Sequence, residues 1–142
     1  MASTAWPRRT LDARTVGIAS LVGVLHAVVV LWIRSVLGVT SMPVFDPFTL
    51  WAFVGLTLTG AVVTYLFLAF RLFAPVLGVG VSLGVVVFGQ WQYVTSLDGL
   101  AWTTATQPLY FYATLWPLPL AVGLGLAGVE WGGRRLRASR TA

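Results

Sequence analysis

Four stretches of the chain are apolar almost without interruption, and short segments carrying Pro, Gly, Thr, Asp or Arg separate them. They run from about Val16 to Gly38, Phe48 to Phe70, Phe73 to Val94 and Pro108 to Trp131. A bilayer core of about 30 Å asks for about 20 apolar residues in a helix, and each stretch has that length. Short connections make neighbours in sequence antiparallel neighbours in space. The pattern predicts an all-α, polytopic membrane protein with four transmembrane helices in an antiparallel bundle. Residues 1–142 form a single integral membrane domain, ending in a short basic tail over 132–142.

The residues between the stretches orient this bundle. Arg8, Arg9 and Arg14 precede the first span, Arg71 lies in the turn between the second and third, and Arg134, Arg135, Arg137 and Arg140 follow the last. The other two connections carry Asp46 and Asp98 and no base. Basic residues favour the cytoplasmic side, so both termini and the Arg71 turn are expected on the cytoplasmic side of the cell membrane. Trp and Tyr prefer the headgroup level, which agrees with an outer belt of Phe45, Phe48, Trp51, Trp91, Tyr93, Trp102, Tyr110 and Tyr112. Trp6, Phe70, Phe73 and Trp131 mark the inner face. The segment from Leu97 to Thr106 reads either as a short interfacial helix or as an irregular loop. A secretory signal is the rival reading of the first span, but no clear Ala-x-Ala site follows it, so the span is expected to be retained.

Composition sharpens the class. With 142 residues, 58% hydrophobic and 9% charged, a soluble globule cannot hide its apolar surface. Charge gathered at the ends also fits poorly with a disordered chain or a nucleic-acid binder. The net charge of +5 comes from nine Arg and no Lys. There is no Cys, which removes thiolate catalysis, disulfides and Cys-ligated metal.

Helices in lipid associate by close packing over small residues. Gly80 with Gly84, Ala121 with Gly125, and Gly123 with Ala127 have the small-x-x-x-small spacing, so they are expected to be packing positions. Gly17, Ser20 and Gly23 on the first span, and Gly55 with Thr59 on the second, offer further flat strips.

Few side chains can carry chemistry. His26 is the single histidine and falls near mid-span, where an ionisable group is expensive unless it faces protein or water. Arg34 follows eight residues later, about 80° round the helix and about 12 Å nearer the outer surface. It either extends its stem to the headgroups, with Asp46 or Asp98 as partner, or turns into the bundle to face an anion. Gln90 and Gln92 lie on different sides of the third span, and the deeper Gln90 is the better candidate to face inward as interhelical glue or a substrate contact. Within Trp116-Pro117-Leu118-Pro119, neither proline can donate to the carbonyls of Ala113 and Leu115. A kink is expected there, about 14 to 17 Å into the span. Glu130 and Arg134 are spaced for a helical ion pair and read as an interfacial clamp.

No grouped nucleophiles, metal ligands or buried carboxylates appear, so catalytic and metal residues are expected to be absent. The leading reading is a small non-catalytic membrane subunit that packs against other subunits or copies of itself, with the lipid bilayer as solvent and no nucleic acid. The first alternative is a small homo-oligomeric transporter or channel with a path near His26, Arg34, Gln90, Trp116, Pro117 and Pro119. The second is a quinone- or haem-associated electron-transfer subunit with its site near His26 and Trp116. A bound cofactor is not required by any motif.

Overall fold

The computed structural model describes residues 12–37, 46–96 and 107–140. The expectations for Phe45, Asp98, Trp102, Trp6 and the 97–106 segment lie outside these. The described chain is helical nearly throughout: α1 (Ala13–Val36), α2 (Pro47–Phe70), α3 (Ala74–Ser96), α4 (Pro108–Thr114) and α5 (Pro117–Arg140). Three of these are long and apolar enough to cross a membrane, and α4 with α5 makes a fourth if the bent pair is one span. The protein is thus an all-α, polytopic membrane protein.

Local chemistry fixes the ends. The Asp12 carboxylate accepts from the Arg14 amide and caps α1, starting the helix earlier than the apolar run does. Pro47, Pro108 and Pro117 each open a helix, where φ is pre-set and the missing N–H would have had no partner. Helix α2 closes on Arg71, which has φ 57° in the left-handed region, with its amide and that of Leu72 donating to the Phe67 and Leu66 carbonyls. A non-glycine residue there costs roughly 1–2 kcal/mol, and a side chain from α5 holds the turn, as described below.

Helices α1 and α2 form the closest pair, and they are antiparallel. Gly23 lies so near α2 that an added Cβ would meet the Thr57 carbonyl and approach Ala61 to 2.9 Å. On the other side of the seam, a Cβ on Gly60 would lie 2.9 Å from the His26 Cβ. Nearer the Asp46 end, the Arg34 guanidinium carbon stands 5.7 Å from the centre of the Phe48 ring. Helices α3 and α5 make the second antiparallel pair, with Gly123 between Val63 and Val79 and Gly78 under Leu126. A core of Ala27, Val30, Ala52, Leu56, Tyr112 and Ala113 joins α1, α2 and α4.

The fourth predicted span is bent where the kink was expected. It comprises two helices bent by 70°, with Leu115 and Trp116 in the break. Pro117 and Pro119 occupy the first turn of α5 rather than interrupting a continuous helix, because neither supplies an amide to the preceding turn. The Leu115 carbonyl, expected to be free, accepts from the Leu118 amide at 2.8 Å. Through the basic segment after residue 131, α5 stays helical to Arg140.

Despite the bend, α4 and α5 keep step with α2. Phe48 stacks on Tyr110 at 4.8 Å, the Trp51 indole donates to the Thr114 carbonyl, Gly55 lies under Trp116, Val63 touches Gly123, and Arg134 reaches the Phe70 carbonyl. The pair therefore runs alongside α2 from one end to the other. Large apolar side chains such as Leu21, Trp32, Leu77, Val85 and Val129 point outward, as lipid-facing residues do.

Candidate functional site

Arg34 is placed by the last turn of α1, on the face that α1 presents to α2. It is only 5% exposed, so the stem does not carry the guanidinium out to the surface. Nε and Nη2 are buried with no hydrogen-bond partner among the described residues. The guanidinium faces the Phe48 ring, and Phe48 stacks in turn on Tyr110 of α4. Asp46, at the start of α2, is the acid whose charge acts on it. Asp46 makes no side-chain bond to the start of α2 and, among the described residues, no ion pair with Arg34. A planar, always-charged fork with unused donors is a strong receptor for an oxyanion.

The start of α4 adds amides at the same end of the bundle. Gln90, projecting from α3, is fully buried and accepts the Leu109 amide on Oε1 at 3.3 Å, leaving Nε2 unpartnered. Gln92 is exposed. Gln107, one turn before Tyr110, is also fully buried, and neither its Oε1 nor its Nε2 has a partner among the described residues. Sequence reading missed Gln107. Its signal was its position, a long polar residue directly before the proline that opens a span.

Nearer the middle of the bundle, the structure separates residues that sequence had grouped. His26 sits at the α1–α2 seam against Gly60, half-buried, with Nε2 unpartnered. Trp116 lies on Gly55 with its Nε1 unpartnered, 5.3 Å from the Trp51 ring. Gly60 and Gly55 face different sides of α2, so His26 and Trp116 do not share one wall. Tyr112, expected in the outer aromatic belt, instead packs in the core with an unpartnered hydroxyl, since small residues at Ala27 and Ala52 leave room for its ring. Pro119 is buried and Pro117 exposed. Between α3 and the α4–α5 elbow lies a groove of about 500 Å³, lined by Ser82, Val86, Phe111, Leu115, Pro119 and Val122 among others.

At the opposite end, Glu130 and Arg134 staple α5 to the α2–α3 turn. Glu130 Oε2 accepts the Ala74 amide at 2.8 Å and so caps α3. Arg134 donates to Glu130 at 2.6 Å, to the Arg71 carbonyl at 2.7 Å and to the Phe70 carbonyl at 3.4 Å. The carbonyls left over at the end of α2 are thus taken up by a cation.

The small residues divide into two groups. Gly123 and Ala127 are buried between helices of this chain. Gly80, Gly84 and Gly125 have nothing within 4 Å of where a Cβ would be, and Ala121 is exposed beside them in sequence. Among the described residues there is no group of three or more His, Cys, Asp or Glu placed to hold a metal. Comparison with protein-family models, with curated proteins and with solved structures finds no match for this chain.

Proposed function

We propose that this chain is a small, non-catalytic membrane subunit that packs through α3 and α5 against other subunits or copies of itself. The observation that carries the reading is the outward set of Gly80, Gly84 and Gly125, where another backbone can approach to contact distance. Four crossings are part of the proposal, supported by the way α4 and α5 accompany α2 along its whole length. Both termini belong on the cytoplasmic side, supported by the gathering of Arg14, Arg71 and Arg134 at one end of the bundle and Asp46 at the other. The chain has no Cys, so Gly84→Cys provides a clean probe. Mild oxidation in native membranes should link Gly84→Cys chains to one another if the partner is a second copy. Absence of a linked dimer moves the assignment to a different partner chain.

A transport path is the second reading, favoured by buried polar atoms of His26, Thr57, Tyr112 and Trp116 near mid-bundle that have no partner among the described residues. Such groups are costly when dry and acceptable beside water or a ligand. Modification of His26 by a water-soluble histidine reagent in sealed vesicles would support that path, and full protection would remove it.

A further inference from the structure

Beyond the assembly role, we infer that Arg34 holds a phosphate-type oxyanion at the Asp46 end of the bundle, between α1, α2 and the start of α4. Four observations converge there. Arg34 is 5% exposed and keeps two buried guanidinium donors without a partner among the described residues. Its guanidinium carbon stands 5.7 Å from the centre of the Phe48 ring, which is itself stacked on Tyr110, so α2 and α4 meet beside the fork. Asp46, the acid whose charge reaches it, does not close an ion pair on it. Gln90 and Gln107 bring amide donors that have no partner among the described residues to the same level of the bundle, as the Gln90 bond to Leu109 and the Phe48–Tyr110 stack require.

A buried, uncompensated cation is among the most costly arrangements a protein can hold, and an anion with several acceptor oxygens removes that cost. Phosphate suits the site because it accepts two parallel N–H bonds from a guanidinium and further bonds from side-chain amides. Arg34 lies in the last turn of a membrane helix, at the depth of lipid headgroups, so the phosphate comes either from an anionic lipid or from solution.

The full chain in a nonionic detergent, titrated with phosphatidylglycerol, phosphatidylcholine or inorganic phosphate and read by native mass spectrometry, tests this. One adduct should form, and Arg34→Gln should weaken it by about tenfold or more, with Arg34→Lys intermediate because a point charge lacks the fork. Gln107→Leu should weaken it by about threefold. Preference for phosphatidylglycerol over phosphatidylcholine with no effect of inorganic phosphate assigns the lipid source, and competition by inorganic phosphate assigns the soluble one. Asp46→Asn should bind as well as the unmodified chain or better, since it removes a competing acid. Equal adduct formation by a folded Arg34→Gln protein overturns the proposal. If Arg34→Gln does not fold, undiminished binding in both Arg34→Lys and Gln107→Leu overturns it as well.

Discussion

Single side chains decide how closely these helices approach, and only some of the small residues picked out by spacing are among them. Gly55 has no room for a methyl group because the Trp116 indole covers it. Gly55→Val should destabilise the bundle by about 1–3 kcal/mol, an overpacking cost, when denaturant unfolding is followed in micelles. Gly80→Val, which meets open space, should leave that unfolding curve where it is. Glu130→Ala should speed hydrogen exchange at the Ala74 amide, because that amide donates to the Glu130 carboxylate. Unchanged exchange would mean that α3 begins without help from α5. The i,i+4 spacing of Glu130 and Arg134 was legible in the sequence. Their targets on the α2–α3 turn were not, since the turn lies some sixty residues away and only the packed fold brings it near. Arg34 shows the same limit: its depth followed from counting residues, whereas its inward aim depends on the ring of Phe48 across the seam.

At the scale of elements, apolar length predicted α1, α2 and α3 to within about three residues, since a helix in lipid must satisfy its own backbone from end to end. The sequence also located the break in the fourth segment, because two prolines remove two donors. It did not supply the direction or the size of the 70° bend, at which Trp116 lies on Gly55 and the Leu118 amide closes a tight turn on the Leu115 carbonyl. Replacing both prolines, Pro117→Ala with Pro119→Ala, restores both amides and should straighten the elbow. Spin labels at Phe111 and Val129 should then separate toward about 27 Å, the rise of eighteen helical residues. An unaltered distance would assign the bend to the Trp116 seat instead of the prolines.

For the whole molecule, two antiparallel pairs joined through α4 make a bundle whose inner faces are well packed and whose outer faces on α3 and α5 keep bare glycines. The fold class was legible because hydrophobic length is a strong physical signal. The division of the small residues was not, since Gly123 and Gly125 look alike in sequence and only one of them meets a neighbour. That division makes the central claim testable, because enlarging an outward glycine leaves the fold alone and strikes only the assembly. Native mass spectrometry of the full chain, extracted gently from its own membrane, should find it bound to further chains, either copies or distinct subunits. Gly84→Leu with Gly125→Leu should release it as a folded monomer. A wild-type chain that emerges only as a monomer, or an assembly that survives both substitutions intact, would contradict the account.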